Sequence, residues 1–434
     1  MDDSARGSGR LHLRSLRVTA PALLALIGLK DAVFVVSWPP VRLNPFWTVF
    51  VLGVLATVAE LAFRRALRQG WPRLGVPAEV WVLALMPLAG LISTSVSVDP
   101  AKSALYAGRL AALWLVAVLV SAACQDPATA RRCVQSFVVG GLLMVLVGAL
   151  QMWRPELGIG SVNSQRILLE DPSIYVRPAG FYLDANFFAT HLVAAAIAAI
   201  GLFMASRERL RGGWLVAAGL QLGMVVVTYS RSALVVLVVG LVLLLVKMSR
   251  RDRIRVAAVV VLSLMLGAAA ANPATVTRRV VTIAEPERPG SNRTRLLMIE
   301  SAARMAVEHA PLGVGLEGFD DVYPAYQDPG AQREIAHPHE VPVSFVAETG
   351  LPGLLALIAA VISVGRATVQ WLRGGLEPWL GVLPAAVAVM SGSVFQYFLY
   401  YEVLWLLLAV AMARYGSTAA IASEGSGSDA SRCP

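Results

Sequence analysis

The chain has 434 residues, of which 57% are hydrophobic and only 15% are charged. This balance excludes an ordinary soluble globular protein and is typical of a polytopic membrane protein. The formal net charge of +9 would favour nucleic-acid binding only if the basic residues formed one patch. They recur instead in short clusters between apolar runs, as cytoplasmic loops do, so nucleic-acid binding is not expected.

The apolar runs predict an all-α fold of about twelve transmembrane helices, because a bilayer core of about 30 Å takes roughly 20 residues per helix. Nine spans fall within residues 19–272 and three within 341–413. The predicted spans cover about 19–38, 44–63, 78–95, 107–124, 133–152, 184–205, 213–229, 231–248, 255–272, 341–365, 378–396 and 398–413.

The two ends of the chain are predicted to be tails. The basic N-terminus, residues 1–18, lacks a small-residue cleavage site, so we expect a cytoplasmic tail and an uncleaved first span rather than a signal peptide. Residues 414–434 are rich in Ser, Gly and Ala, a composition typical of a disordered tail.

Arginine and lysine cluster in alternate loops, whereas the opposite loops hold little beyond Arg42, Lys102 and Arg231. This asymmetry predicts that both termini are cytoplasmic. Two long segments, about 153–183 and about 273–340, then lie on the periplasmic side. Long loops in compact architectures usually carry function, so we expect the active site on that side.

The segment Ala336-His337-Pro338-His339-Glu340 places two imidazoles where a long polar loop meets an apolar run. An imidazole titrates near neutral pH and can take a proton from a hydroxyl group. We therefore predict that this segment is the centre of an active site. The alternatives are that His339 only caps the tenth span and that His337 is an ordinary loop residue.

Three other elements on the same side offer arginine at the predicted outer interface. Arg177 precedes Asn186 at the start of span six, and Arg231 lies in a tight turn between spans seven and eight. Arg293 and Arg295 open an amphipathic stretch that is predicted to lie along the membrane surface. Guanidinium groups pair bidentately with phosphate, at about 1.5–3 kcal/mol per charged hydrogen bond.

Arginines that converge beside a histidine base indicate a diphosphate leaving group and a hydroxyl nucleophile. Simpler interpretations remain for the individual residues. The Arg231 side chain could only extend to the lipid headgroups, and Arg293 could face solvent.

These motifs resemble those of the O-antigen ligase and O-antigen polymerase superfamily of bacterial envelope glycosyltransferases, over about residues 177–355. "RPAGFYLDANFFA" is similar to the family's R-x-x-G...N-x-x-A stretch, and "TYSRSA" to its T-x-S-R turn. "SNRTRLLMIESAARMAVEHAPLGVGLEGF" resembles the arginine-led helix that ends in P-L-x-G-V-G. "HPHEVPVSFVAETGLPG" resembles the H-[N/S/Q]-x9-G-x-x-G motif.

The match assigns His339 to the family's histidine position and Arg295, rather than Arg293, to its arginine. Two departures stand out. Glu340 occupies a position where the family favours Asn, Ser or Gln, and Leu354 follows Gly353 where the ligases have Thr-Gly. Both departures favour a polymerase, or another member of the superfamily, over a ligase.

The resemblance implies an inverting glycan transfer from undecaprenyl diphosphate on the periplasmic face of the bacterial inner membrane, without a metal or a cofactor. It implies that His339 deprotonates an acceptor sugar hydroxyl. The diphosphate would be held by Arg231, Arg295 and Arg177 as negative charge develops on it. The expected supporting residues are His337, Arg293, Glu340 and Asn186.

The expected partners are the lipid-linked glycan donor, the acceptor and the membrane lipids. A ligase would transfer the glycan to a lipid A-core sugar, and a polymerase would transfer it to another lipid-linked glycan. The rival from another class is a lipid-linked glycan transporter. Transporters usually carry ionisable residues near the midplane and show repeated halves, a pattern that this sequence lacks.

Overall fold

The protein is described here from a computed structural model, which is helical apart from one short antiparallel hairpin. The predicted helical fold class is confirmed. The described residues are 14–27, 36–38, 41–43, 45–66, 75–154, 157, 159, 177–182, 184–206, 211–271, 292–328, 340–374 and 381–413.

The described part of the chain contains fifteen α-helices, two short 3₁₀ helices (Thr94–Val96 and Tyr323–Ala325) and one hairpin. The hairpin pairs β1 (Val36–Trp38) with β2 (Val41–Leu43). The helices are α1 (Arg14–Leu26), α2 (Pro45–Ala66), α3 (Ala78–Val82), α4 (Leu85–Ser93), α5 (Pro100–Ala123), α6 (Pro127–Trp153), α7 (Ala185–Ala205), α8 (Arg211–Val227), α9 (Arg231–Lys247), α10 (Arg250–Ala270), α11 (Asn292–Glu308), α12 (Phe319–Val322), α13 (Pro342–Arg373), α14 (Val382–Gly392) and α15 (Glu402–Ala413).

The chain is a multi-pass membrane protein. Six described helical segments are long and apolar enough to cross a membrane, and four shorter helices are apolar as well. The six segments are Ala78–Val96, Pro100–Ala123, Pro127–Trp153, Ala185–Ala205, Arg250–Ala270 and Pro342–Arg373. The count of twelve spans and the cytoplasmic or periplasmic side of each loop stay predictions, and the predicted tail 414–434 lies outside the described residues.

Side-chain caps determine where five of the helices begin. Each capping oxygen accepts a hydrogen bond from an amide in the first turn, which has no partner within the helix. The capping residues are Asp99, Asp126, Asp184, Ser230 and Ser249. Proline follows Asp99 and Asp126 at the first helical position, where its missing N–H does no harm.

Proline explains one place where a predicted span was wrong and a local break in another span. Span one was predicted to continue to residue 38, but residues 36–38 form strand β1, since the Pro39-Pro40 pair disfavours helical conformation in the preceding residue. Span three matches the apolar segment Ala78–Val96, although its helix is interrupted between α3 and α4. Pro87 cannot donate to the Leu83 carbonyl, and its ring crowds that turn.

Helix α7 lies at the centre of the bundle. Its residues from Phe188 to Phe203 are buried on every side, as expected for a helix that is apolar all round. It packs against α6, α8, α9 and α14. Its one histidine, His191, stacks on Phe137 and bonds the Tyr182 hydroxyl through Nδ1 at 2.6 Å, so it is a structural residue.

Two long helices meet at their ends. The Lys247 Nζ atom, at the end of α9, donates to the carbonyl oxygens of Leu372 and Gly374 at the end of α13, at 2.7 Å each. Their beginnings are connected through the end of α14, because Gly392 lies against Val236 in the second turn of α9 and the Val341 amide donates to the Ser393 carbonyl. We call this region the site end. It holds the turn before α9, the start of α7 and the start of α13.

Candidate active site

Arg177 joins two of the elements that the sequence identified. Its Nε atom donates to the Thr228 carbonyl oxygen at 2.6 Å, and its Nη2 atom donates to Asn186 Oδ1 at 3.0 Å. Three positions that are far apart in the sequence thus meet at the site end. Arg177 and Asn186 are brought together, and the guanidinium group holds the turn that leads into Arg231.

The loop that carries Arg177 is fixed by Gln151 on α6. The Gln151 Oε1 atom accepts from the amides of Ala179 and Gly180 at 3.1 and 2.9 Å, and its Nε2 atom donates to the Gly180 carbonyl at 2.6 Å. Gly180 has a φ of +58° and lies against the Phe188 ring. The sequence analysis missed Gln151, because a glutamine inside an apolar run follows no recognisable motif.

The turn 228–231 uses its small polar side chains for its own geometry. The Thr228 hydroxyl donates to the Val225 carbonyl at 2.6 Å, and Ser230 Oγ accepts from the Ala233 amide at 3.3 Å. Arg231 is the first residue of α9, and its side chain is exposed. It makes no hydrogen bond or ion pair with the part of the chain that the structure describes, so its guanidinium group is available to a ligand.

Glu340 caps helix α13. Its carboxylate accepts from the amides of Val343 and Ser344 at 3.1 Å each, and the Ser344 hydroxyl donates to the Glu340 carbonyl. The side chain is only 4% exposed, and this burial raises the pKa of Glu340 while the amide hydrogen bonds oppose the rise. Asn, Ser and Gln, which the family favours at this position, can accept the same amide hydrogen bonds. Glu340 therefore caps the helix as those residues would, despite its departure from the family pattern.

Several predicted residues lie outside the described residues. His337 and His339 are among these, and they precede Glu340 directly in the sequence. Arg293 and Arg295 lie in the first turn of α11, but their side chains belong to the part of the chain that is not described. The assignment of His339 as the base and of Arg295 to the diphosphate therefore stays a prediction.

The P-L-G-V-G and E-T-G-L-P-G motifs bind each other. Helix α13 is interrupted at Gly350, where φ is +62° and ψ is −146°. The loop 311–319 enters this break. The Val314 and Gly315 amides donate to the carbonyls of Ala347 and Glu348 at 3.1 and 2.9 Å, and the Leu351 amide donates to the Pro311 carbonyl at 2.7 Å. These bonds satisfy backbone groups that the break would otherwise leave unpaired.

Helix α11 packs on the same joint. Met298, Ala302 and Met305 are buried against Val314 and Ala347. They recur at the spacing of one helix face, and Ala302 and Met305 belong to the predicted apolar face. Because the loop 311–319 connects α11 to the break in α13, the arginine-led helix and the start of α13 share one packed unit.

Two further contacts connect the elements at the site end. The Val341 amide donates to the Ser393 carbonyl at 2.8 Å, which ties the start of α13 to the end of α14. The Tyr401 hydroxyl donates to the Phe187 carbonyl at 2.8 Å, which ties the following turn to the start of α7. The loop with Arg177, the turn with Arg231, helix α11 and the start of α13 are thus connected by hydrogen bonds or packing among the described residues.

An apolar cavity of about 320 Å³ begins beside the start of α13. Its lining runs from Val341 and Ser393 along α13, α14 and α15 and reaches Met86 and Trp405. The described residues contain no group of three or more His, Cys, Asp or Glu side chains that could hold a metal ion.

A buried polar cluster beside the joint was missed by the sequence analysis. The Tyr397 hydroxyl donates to Glu348 Oε2 at 3.2 Å and is also bonded to the Glu317 side chain. No sequence motif marks this cluster, because Glu348 stands alone in an apolar helix and its partners are distant in the sequence.

Comparison with known proteins gives one match. No curated protein sequence matches the chain. The family model described as O-antigen ligase matches residues 216–358, about a third of the chain. The matched segment includes the turn with Arg231, helix α11, the loop 311–319 and the break at Gly350, whereas Arg177 lies outside it. The chain thus contains an O-antigen ligase family segment, which confirms its resemblance to the O-antigen ligase and polymerase superfamily.

Proposed function

We propose that the protein is a glycosyltransferase of the O-antigen ligase type. It moves a glycan from undecaprenyl diphosphate to a sugar hydroxyl of the lipid A-core, on the periplasmic face of the inner membrane. The observation that carries the proposal is the Arg177 bridge to Thr228 and Asn186. It holds the turn that carries Arg231 beside the start of α7. The start of α13, which His339 precedes in the sequence, is connected to α9 through the end of α14.

The proposed diphosphate site centres on Arg231. A basic residue in the first turn of a helix opposes the helix dipole, which favours negative charge there. An exposed arginine at this position therefore indicates an anionic ligand rather than helix stability. The free amides of a helix N-terminus and a guanidinium group both bind phosphate oxygens. Arg295, in the first turn of α11, is proposed as the second cation, and Arg177 holds the turn that carries Arg231.

The proposed base is His339. It removes the proton from the acceptor hydroxyl, and the oxygen attacks the anomeric carbon of the donor. The bond from that carbon to the diphosphate oxygen breaks, which releases undecaprenyl diphosphate and inverts the anomeric configuration. A general base contributes about 10²–10⁴-fold to such a step. Glu340 supplies the cap of α13, so capping does not require His339.

The polyprenyl chain of the donor is proposed to enter the apolar cavity beside Val341. This cavity is lined almost entirely by aliphatic and aromatic side chains, which suit an isoprenoid because burial of apolar surface is favourable and roughly proportional to the area. Its lining starts at Val341, two residues after His339. A chain bound there would have its diphosphate near the site end.

A repeat-unit polymerase of the same superfamily is the second candidate. Leu354 follows Gly353 where the ligases of the family have Thr-Gly. A polymerase would use the same donor, base and diphosphate site, but the acceptor would be another lipid-linked glycan. The size distribution of the product separates the two activities.

The proposal is tested by glycan transfer in a strain that lacks the endogenous enzyme. We compare wild type with His339→Ala, Arg231→Ala and Arg295→Ala, at equal protein levels in the membrane. Arg255→Ala is the matched control, because Arg255 is an exposed arginine on α10 that is paired with Asp252 at 3.6 Å. We expect transfer to be lost in the first three variants and kept in the control. Normal transfer by His339→Ala would reject the proposed mechanism.

A further inference from the structure

Two carboxyl groups from different elements, one fully buried and one partly buried, meet at one tyrosine hydroxyl. Glu348 lies in α13, two residues before the break at Gly350, and is fully buried. Glu317 lies in the loop 311–319 with a φ of +59°, a conformation that is unusual for any residue except glycine. The Tyr397 hydroxyl contacts Glu348 Oε2 at 3.2 Å and is bonded to the Glu317 carboxyl as well.

Hydrogen-bond chemistry fixes the number of protons in this group. A tyrosine hydroxyl has a single proton to donate, and an ionised carboxylate can only accept. The Tyr397 hydroxyl can therefore donate to one of the two carboxyl groups. The other bond requires a proton on the second carboxyl group, which donates it to the Tyr397 oxygen.

The charges around the two carboxyl groups also indicate that the pair retains one proton. Lys102 is committed to Asp320 and Asp321, at 2.7 and 3.0 Å, and Arg109 lies 3.9 Å from Glu402. Burial raises the pKa of Glu317, against the opposing effect of the Tyr397 hydrogen bond. The charged and titratable groups that face the pair are Lys102, Tyr106, Arg109, Asp320, Asp321, Tyr397, Tyr400 and Glu402.

Among the described residues, five carboxyl groups in this region face only two cations. Full ionisation would leave a surplus of negative charge beside Glu348, which is fully buried. A buried charge without a partner is costly enough that the group usually stays neutral. One retained proton between Glu317 and Glu348 reduces that surplus.

The pair lies inside the joint between the loop 311–319 and α13. The Glu348 carbonyl accepts from the Gly315 amide at 2.9 Å, while the Oε1 atom of its carboxyl group is buried without a hydrogen-bond partner among the described residues. Each side of the joint thus contributes one acid. If both carboxyl groups were ionised, two negative charges would repel each other across the contact that holds the loop 311–319 on α13.

We propose that Glu317 and Glu348 share one proton through the Tyr397 hydroxyl, and that this pair is a positioning element for the active site. The protonated pair holds the loop 311–319, and with it helix α11, in fixed register with the start of α13. Its effect on transfer rests on the proposed function, since α11 carries Arg295 and the start of α13 follows His339. The joint itself can be tested without any transfer reaction.

The test is hydrogen exchange on the full-length protein in lipid nanodiscs, between about pH 6 and about pH 9.5. The reporters are the amides of Gly315 and Leu351, which bond across the joint, corrected for the intrinsic effect of pH on exchange. In the wild type we expect protection to fall by about tenfold or more as the shared proton is lost. In Glu317→Gln and Glu348→Gln we expect protection to persist, because an amide group does not titrate.

Two further variants keep the test decisive. Glu308→Gln, which changes a carboxyl group on the exposed surface of α11, should keep the wild-type pH dependence. Tyr397→Phe, which removes the shared hydroxyl, should lower protection at every pH. A wild-type protein without pH-dependent protection would overturn the proposal, as would glutamine variants that lose protection at the same pH as the wild type.

Transfer measured over the same pH range separates this proposal from the proposed function. We expect the alkaline fall in transfer to move to higher pH in both glutamine variants. If the exchange pattern is as expected but no variant transfers glycan, the proton-sharing pair stands and the proposed function fails. If transfer occurs and its pH profile is unchanged in the glutamine variants, the positioning role is overturned.

Discussion

The Arg177 Nε atom donates a hydrogen bond to the Thr228 carbonyl oxygen at 2.6 Å. This contact connects the loop before α7 to the turn before α9, and a second bond from the same guanidinium group reaches Asn186 at 3.0 Å. Because Thr228 lies three residues before Arg231, the position of Arg231 depends on Arg177. We therefore propose different tasks for the two arginines: Arg177 positions the turn, and Arg231 binds the diphosphate.

Replacing Arg177 should reduce transfer through the position of Arg231. We expect Arg177→Ala to lower kcat/KM by about tenfold or more, since a charged hydrogen bond contributes about 1.5–3 kcal/mol. Arg177→Lys should recover only part of this loss, because an ammonium group cannot reproduce the planar fork that reaches two acceptors. The measurement is the transfer rate at equal protein level, with Arg255→Ala as the control.

A double-mutant cycle separates positioning from direct binding. If Arg177 acts through Arg231, the combined Arg177→Ala and Arg231→Ala variant should lose much less activity than the product of the two single losses. Losses that simply multiply would show that Arg177 acts independently of Arg231.

The cap of α13 predicts a specific response at Glu340. Glu340→Gln keeps an oxygen that can accept the Val343 and Ser344 amides, so we expect near-normal transfer. Glu340→Ala removes the cap and should cost about 1 kcal/mol of stability. The transfer rate checks the first expectation, and thermal unfolding of the purified protein checks the second. A loss of transfer in Glu340→Gln as large as that in Glu340→Ala would show that the carboxylate has a chemical role.

The same residue predicts a pH dependence of stability. Burial raises the pKa of Glu340 in the folded protein, so ionisation of this carboxyl group opposes folding. Its contribution to stability is fully present below the ordinary glutamate pKa and is lost as the pH rises through the raised value. The stability difference between wild type and Glu340→Gln should therefore shift against the wild type over that range. A difference that is constant with pH would contradict the assignment.

Gly350 should tolerate no side chain. Its φ is +62°, and an added Cβ atom would overlap the Pro311 carbonyl oxygen. We expect Gly350→Ala to cost several kcal/mol and to lower the protein level in the membrane, because it adds backbone strain to a steric clash.

Gly365 offers a matched control in the same helix. Nothing lies within 4 Å of the position that its Cβ atom would take, so Gly365→Ala should be neutral or stabilising by up to about 1 kcal/mol. Equal effects of the two substitutions on the melting temperature would argue against the joint at Gly350.

Gln151 should be essential for the loop that carries Arg177. Gln151→Leu leaves the amides of Ala179 and Gly180 without their acceptor, and each unsatisfied buried group costs about 1–3 kcal/mol. We expect faster hydrogen exchange at the Ala179 and Gly180 amides and reduced transfer. Gln221→Leu is the control, because this buried glutamine bonds the Val138 carbonyl on α6 instead. Exchange of these two amides at the wild-type rate in Gln151→Leu would contradict the role of Gln151.

The sequence predicted the helices well where a uniform apolar run begins at a capping residue. Span six, predicted over 184–205, is α7 at Ala185–Ala205, and span eight, predicted over 231–248, is α9 at Arg231–Lys247. The predictions failed where proline acts locally, as in strand β1. Hydropathy averages over a window, so it does not register a single residue that removes one hydrogen bond.

The site was predictable only to the extent that motifs mark it. The sequence placed Arg177, Asn186 and Arg231 on one side of the protein, and the structure joins their elements. It did not reveal Gln151 or the pairing of Glu348 with Tyr397, whose bonded partners are 28 and 49 residues away. Such polar contacts depend on how helices pack, and no local pattern in the chain encodes that arrangement.

The central claim is that His339 is the base of a transfer from a lipid diphosphate. The most direct measurement uses the purified protein with a synthetic polyprenyl-diphosphate-linked glycan and an acceptor, and follows release of the polyprenyl diphosphate. His309→Gln is the matched control, since His309 is a half-buried histidine that bonds Tyr326 at 3.2 Å. We predict that His339→Gln loses about 10²–10⁴-fold in rate while His309→Gln stays active. Release at the wild-type rate by His339→Gln would contradict the claim.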